Sequence, residues 1–156
     1  MKKAVIVFVI LCIQASVVVS GQPQCPIPPA EGSSAVIILR VEYAATALND
    51  EYIVILNRGD TTVDLSGWVV FNTYYEMYRN LPAVQRVDKF AWRNVYRIPT
   101  GIKLPPRHWV KIFSGFGESN EMYLYRNLTE QWLDNQSDTV YLMDNFCNII
   151  HMYSWP

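Results

Sequence analysis

Histidine and cysteine are scarce in this chain, and their scarcity limits the chemistry that it can carry out. The 156 residues include two histidines, His108 and His151, and three cysteines. Neither histidine belongs to a recognisable nucleophile motif, and acid–base catalysis needs a group placed within reach of a substrate. No set of cysteines and histidines has the spacing of a zinc site. We therefore predict that the protein is not an enzyme and has no catalytic residue.

Phosphate-binding and calcium-binding patterns are also missing. Gly115 and Gly117, in "SGFGES", form a short turn and not a phosphate-cradling loop. The acidic residues of the following region come closest to a calcium site; they are Glu118, Glu121, Asp134 and Asp138. An EF-hand register starting at Asp134 puts Thr139 and Asn145 where glycine and glutamate are needed. We predict no cofactor and no metal.

The chain carries little excess charge of either sign. It has 13 basic and 14 acidic residues, a formal net charge of −1 at pH 7. Removal of residues 1–20 would leave 11 basic residues against 14 acidic ones, a net charge of −3. Affinity for nucleic acid depends mostly on neutralising phosphates. This composition therefore argues against a general nucleic-acid binder.

The one long apolar run lies at the N-terminus. Lys2 and Lys3 precede an apolar stretch over residues 4–19, and Val18 and Ser20 stand three residues and one residue before a cleavage point at Gly21. This layout is typical of a secretory signal peptide, and the run is short for a membrane span. We predict a signal peptide over 1–20 and a secreted or surface location, with a retained anchor as the alternative. Residues 21–34 hold four prolines and are expected to form a disordered leader.

Export would leave two cysteines, Cys25 and Cys147, in an oxidising compartment where pairs usually bond. Their bridge would close a loop of roughly 120 residues and contribute up to about 4–5 kcal/mol. Two separate thiols are the alternative. Asn127 and Asn135 begin glycosylation sequons, which have meaning only in a host with the machinery to use them.

From residue 35 onward the pattern is one of short strands and turns. Runs of four to eight β-branched and aromatic residues, separated by Gly, Pro, Asn and Asp, are typical of an all-β sandwich. The predicted strands cover 35–43, 51–57, 67–72, 96–98, 102–104, 108–113, 139–144 and 148–155. No segment has a long helical period, and the best helical candidate is "NLTEQWL", residues 127–133.

Residues 73–95 interrupt this rhythm with a long connection rich in aromatic and basic side chains. Its candidate interaction residues are Tyr74, Tyr75, Tyr78, Arg79, Arg86, Lys89 and Arg93. Residues 79–111 hold eight basic residues and one acidic, whereas 112–156 hold six acidic and one basic. Either the two halves interleave and neutralise each other, or the connection is a docking surface for an anionic polymer or acidic partner. The three tyrosines, with Tyr123 and Tyr125, are also a candidate sugar-binding platform.

Three blocks of sequence resemble the lamin tail domain family. "NDEYIVILNRGDTTVDLSGWVV" is similar to its opening, "YRIPTGIKLPPRHWVKIFSG" to its middle and the segment around Trp132 to its end. Arg107 and Ser137 stand where the family commonly has glycine. The matching positions to which we assign a structural role are Gly59, Asp60, Asp64, Leu65, Gly67, Trp68, Trp132 and Asp138.

The resemblance implies an immunoglobulin-like β-sandwich over residues 35–156, with Trp68 and Trp132 inside it. It also places Arg58-Gly59-Asp60, a tripeptide known from adhesion proteins, at a turn. In nuclear lamins the module contacts chromatin and other proteins, and exported prokaryotic versions often accompany hydrolases on longer chains. We therefore expect a secreted, non-catalytic module that binds an unidentified protein or surface polymer through its loops. The alternatives are a small hydrolase or its accessory subunit, and a carbohydrate-binding module.

Overall fold

The computed structural model describes residues 35–156, which form two four-stranded sheets packed face to face. In chain order the elements are β1 (Val36–Glu42), β2 (Tyr52–Asn57), β3 (Val63–Asp64), β4 (Val69–Asn72), α1 (Thr73–Asn80), β5 (Val95–Arg97), β6 (Lys103–Leu104), β7 (Trp109–Phe113), β8 (Tyr123–Tyr125), β9 (Asp138–Met143) and β10 (Ile149–Trp155). Two 3-10 turns, Ala83–Gln85 and Ala91–Asn94, follow α1. The predicted signal peptide and leader, with Cys25, lie outside the described residues.

The first sheet has the strand order β1-β2-β7-β8, and the second has the order β10-β9-β4-β5. All pairings in them are antiparallel except β7 with β8, which is parallel. Strands β3 and β6 pair as a separate two-stranded ribbon. The prediction of an all-β sandwich is confirmed.

The core lies between the two sheets because alternate residues of each strand point inward. Ile53 and Ile55 of β2 are fully buried, and they join Val70 and Leu142 of the second sheet in one apolar cluster. Trp68 and Trp132 belong to the same cluster, with 8% and 5% of their surfaces exposed. Both tryptophans are therefore interior, as the resemblance implied.

Strands β1 and β10 close one side of the sandwich. The Ile38 amide donates to Nδ1 of His151 at 3.3 Å. Tyr43 stacks on Trp155 with ring centroids 4.6 Å apart. Both strands change register beside this contact, between Ile38 and Arg40 and between Ile149 and His151.

The local sequence pattern was wrong about where the helix lies. Residues 127–133 are not helical; Asn127 has φ 55°, and Leu128 and Trp132 are buried as separate anchors of a loop. Among residues 35–156 the α-helix is α1, which is only eight residues long and has no fully buried residue. Strands β3 and β8, of two and three residues, were also missed.

Candidate functional site

Asn72, the last residue of β4, immediately precedes the connection 73–95. It is buried, and its side chain joins three parts of the chain. Its Oδ1 accepts the Tyr75 amide at 3.1 Å and so caps α1. Its Nδ2 donates to the Trp132 carbonyl at 2.8 Å and to Oδ1 of Asn94 at 2.9 Å. One side chain therefore starts the helix, ties the two ends of the connection together and holds the Trp132 loop.

Helix α1 lies against the outer face of the second sheet. The ring of Tyr75 packs edge-on against Phe71, with centroids 5.8 Å apart. The guanidinium of Arg79 lies 5.0 Å from the Phe71 centroid, and Arg79 also forms an ion pair with Glu76. Tyr75 and Arg79, which the sequence indicated as interaction residues, are thus engaged in attaching the helix to the sheet.

Hydrogen bonds within the connection 73–95 fix its conformation, and they are made by Tyr74, Tyr78 and Arg86. The Tyr74 hydroxyl donates to the Asp88 carboxylate, and this hydrogen bond lowers the pKa of Asp88. The Tyr78 hydroxyl donates to the Arg86 carbonyl at 3.0 Å, and Nε of Arg86 donates to the Leu81 carbonyl at 2.8 Å. These bonds join α1 to the segment that follows it and give that segment a fixed conformation.

The far end of the connection, residues 83–92, exposes apolar side chains and is called the insertion tip below. Val84 and Val87 are 84% and 82% exposed, and Trp92 and Phe90 are 57% and 47% exposed. Arg93 follows it, with its guanidinium 4.7 Å from the Phe90 centroid and 2.8 Å from a Glu130 carboxylate oxygen. The connection therefore has an attached side, formed by α1, and an open side, formed by the insertion tip.

A shallow pocket of about 400 Å³ lies at the base of the connection. Its lining includes Asn94, Tyr74 and Trp132, with the carboxylates of Asp134 and Asp138. Both carboxylates also accept hydrogen bonds from backbone amides. Asp138 accepts the Thr73 amide at 3.1 Å, and Asp134 accepts the Gln136 amide at 2.7 Å. Asp138, a matching position of the family motif, therefore holds the first residue of α1.

The sequence left two interpretations of the charge asymmetry: neutralisation between the two halves, or a basic docking surface. Different residues are consistent with each. Arg93 and Glu130 form an ion pair between the basic and acidic segments, so some charge is neutralised as expected if the halves interleave. Lys89 takes part in no ion pair among residues 35–156 and lies with Nζ 5.2 Å from the Phe90 centroid. The basic residues of the insertion tip are Arg86 and Lys89, against one acidic residue, Asp88.

The turn at Arg58-Gly59-Asp60 is organised by the buried Asn57. Oδ1 of Asn57 accepts the Gly59 amide at 2.9 Å, and its Nδ2 donates to the Thr61 and Leu104 carbonyls at 2.8 and 3.0 Å. A Cβ on Gly59 would lie 2.7 Å from that of Ala35, so the turn requires glycine on steric grounds. Asp60 is exposed and pairs with Arg107 at 2.9 Å. These contacts account for the tripeptide as part of the fold.

The remaining motif positions also have structural roles. The Asp64 carboxylate accepts the Ser66 amide at 2.8 Å and Leu65 is fully buried. Gly67 has φ 79°, a left-handed conformation that glycine adopts without strain. Arg107, which replaces a common glycine of the resemblance, also has a positive φ of 62°.

The five candidate sugar-binding tyrosines do not share one surface. Tyr74, Tyr75 and Tyr78 lie with α1 on the second sheet, whereas Tyr123 and Tyr125 belong to β8 of the first. The latter two join a separate aromatic group on the outer face of the first sheet: Tyr125 stacks on Phe113 at 4.9 Å, and Tyr123 meets Trp109 edge-on at 5.8 Å. Sequence reasoning named the two tyrosines but missed Trp109 and Phe113, because the pairing of β7 with the short strand β8 was not predicted.

The two histidines are held apart by the fold. His108 precedes β7 of the first sheet, where Nδ1 lies 2.8 Å from the Pro106 carbonyl oxygen. His151 lies on β10 of the second sheet and accepts the Ile38 amide. Within residues 35–156, no three His, Cys, Asp or Glu side chains are grouped closely enough to hold a metal ion.

These features define the class of protein. It is an immunoglobulin-like β-sandwich with a braced helical connection on one sheet. The family model described as Lamin Tail Domain matches residues 29–156, and the chain belongs to that family. A comparison with curated proteins finds no match. Among residues 35–156, no helix has the length and apolar character needed to cross a membrane.

Proposed function

We propose that this protein is a secreted, non-catalytic interaction module that binds a protein or a surface polymer through the connection 73–95. The observation that carries the proposal is the braced insertion tip. Val84, Val87, Phe90 and Trp92 remain exposed although the segment that bears them is fixed by hydrogen bonds. Exposed apolar side chains grouped on a surface typically mark an interaction site.

Bracing favours binding because a preorganised surface loses less conformational entropy when a partner docks. The bonds of Tyr74 and Tyr78 fix the connection before any partner arrives. Export is supported by the signal-like sequence of residues 1–20 and by the candidate pair Cys25 and Cys147. The separation of His108 from His151 argues against the hydrolase alternative, since these side chains do not converge on one cleft.

A binding assay on the secreted protein tests this proposal. The mature protein is incubated with intact cells of the producing organism and with an array of surface glycans. The double variant Phe90→Ser/Trp92→Ser is expected to lose most of the binding. The matched control, Phe146→Ser/Met152→Ser, changes two side chains that are 65% and 56% exposed elsewhere on the sandwich, and it is expected to bind normally.

Two results would overturn the proposal. One is the absence of binding to any surface material together with measurable hydrolysis of a substrate. The other is equal binding by the wild-type protein and the Phe90→Ser/Trp92→Ser variant, because the insertion tip would then have no role.

A second candidate function, carbohydrate binding, is supported by the aromatic group on the first sheet. Tyr123 is 37% exposed and stands beside Trp109 and Phe113. Glycan binding that Tyr123→Ala abolishes and Phe90→Ser/Trp92→Ser leaves intact would favour this function. The opposite pattern would favour the insertion tip.

A further inference from the structure

We infer that the surface to which the insertion tip docks is a lipid bilayer with anionic headgroups. The inference rests on the proposed function and names its partner. Val84 and Val87 have the two largest exposed fractions among the exposed large apolar side chains of residues 35–156. They belong to the same short segment as the exposed Phe90 and Trp92, and we expect all four apolar side chains to contribute to docking at this end of the molecule.

Several backbone donors of the insertion tip are already bonded within the protein. An amide that enters an apolar phase without a partner is strongly disfavoured. Here the amides of Gln85, Arg86 and Val87 donate to the carbonyls of Pro82, Ala83 and Gln85 at 2.8, 3.2 and 2.9 Å. The Phe90 amide donates to the Asp88 carboxylate at 2.8 Å. The apolar side chains can therefore enter lipid while these four backbone donors keep their bonds.

The charges around the insertion tip favour anionic headgroups. Lys89 lies beside the ring of Phe90, and Arg93 beside those of Phe90 and Trp92, at 4.7–5.8 Å. Aromatic rings and long cationic side chains together are typical of the interfacial layer of a membrane. The one acidic residue of the tip, Asp88, is bound by the Tyr74 hydroxyl and the Phe90 amide, which satisfy its carboxylate within the protein.

Because the insertion tip carries little positive charge, we expect its apolar side chains to contribute most of the free energy of binding. Within residues 35–156 Lys89 takes part in no ion pair, whereas Arg93, which follows the insertion tip, is paired with Glu130. Removing the valine side chains should therefore weaken binding more than removing the Lys89 charge. A ligand held by charge alone, such as a soluble polyanion, would show the reverse order.

Vesicle sedimentation tests the inference with the mature protein. The probes are phosphatidylcholine vesicles with and without phosphatidylserine. We expect binding to the anionic vesicles, weaker binding to the neutral ones, and a loss of roughly tenfold in partitioning for Val84→Ser/Val87→Ser. Lys89→Gln should reduce binding to the anionic vesicles severalfold and leave binding to the neutral ones unchanged. The control Phe146→Ser/Met152→Ser should match the wild type.

The outcomes separate this inference from the proposed function. No binding to either vesicle, or equal binding by Val84→Ser/Val87→Ser, overturns the lipid partner. If the insertion tip is nevertheless required for binding to cells or to arrayed glycans, the proposed function stands with a protein or polymer partner. Competition by soluble polyglutamate, with no effect of the valine substitutions, would assign the binding to charge and also overturn the inference.

Discussion

The guanidinium carbon of Arg126 lies 3.6 Å from the ring centroid of Trp132, and together they connect the loop after β8 to the loop before β9. Nη2 of Arg126 donates to the Arg93 and Val95 carbonyls at 2.7 and 3.0 Å. Burial lowers the pKa of Arg126 to about 9, so the side chain is still protonated at neutral pH. The buried charge therefore holds the end of the connection against the core.

Replacing Arg126 with methionine should destabilise the protein by about 3 kcal/mol. The substitution keeps much of the side-chain volume but removes two hydrogen bonds and the cation over Trp132. It also removes the positive charge that acts on the buried carboxyl of Glu51. Urea denaturation followed by tryptophan fluorescence measures the change.

Arg40 provides the matched control for this substitution. Its side chain is 61% exposed and pairs with Glu42 on the surface. Arg40→Met should change the free energy of unfolding by less than about 0.5 kcal/mol. Equal midpoints for the two variants would show that the position of Arg126 over Trp132 contributes nothing to stability.

Asn57→Ala should destabilise the fold by about 2–3 kcal/mol. The wild-type amide is fully buried and bonds the Gly59 amide and the Thr61, Leu104 and Pro105 carbonyls. Alanine would leave this donor and these acceptors without their partner. Thermal unfolding monitored by circular dichroism measures the loss, with the exposed Asn145→Ala as the control. Similar melting temperatures for both variants would contradict the role assigned to Asn57.

Acid should destabilise the protein through His151. Burial, with a smaller contribution from Arg58, lowers the pKa of His151 from its ordinary value of 6.5, because the neutral ring is favoured in the folded chain. Its contribution to stability is therefore complete above pH 6.5 and is lost as the pH falls through the lower folded-state pKa. A protonated Nδ1 can no longer accept the Ile38 amide.

The measurement is the free energy of unfolding from urea titrations between pH 7.5 and about 5. His151→Leu should lower stability at pH 7.5 and flatten this part of the pH profile. His108→Leu, which leaves the contact between β1 and β10 intact, should keep the wild-type slope. An unchanged slope in His151→Leu would refute the assignment.

Non-reducing peptide mapping should find Cys25 joined to Cys147, which stays a prediction because Cys25 lies outside the described residues. Reduction should then lower the free energy of unfolding by up to about 4–5 kcal/mol. Cys147→Ser should produce the same loss without reductant and become insensitive to it. Recovery of Cys25 as an alkylated thiol from untreated protein would contradict the bridge.

The sequence by itself determined the longer strands and the sandwich class, because these depend on short-range pattern, whereas the short strands β3 and β8 escaped it. Alternation placed Ile53 and Ile55 on the same face of β2, which the structure shows to be the inner one, and the motif around Gly67 positioned Trp68. The same motif identified Asp64 as a residue that accepts backbone amides of the turn. Each of these outcomes follows from residue spacing along one strand or one turn.

Only the tertiary structure decided which residues of the connection 73–95 pack on the second sheet and which face solvent. Tyr75 and Arg79 belong to the same aromatic and basic segment as Phe90 and Trp92, yet they pack on Phe71 while the other two face solvent. No periodicity within the segment separates the two groups. The division depends on Asn72, whose bonds to Asn94 and Trp132 reach 22 and 60 residues along the chain. Such contacts exist only once the sheets have packed, so the local sequence contains no signal for them.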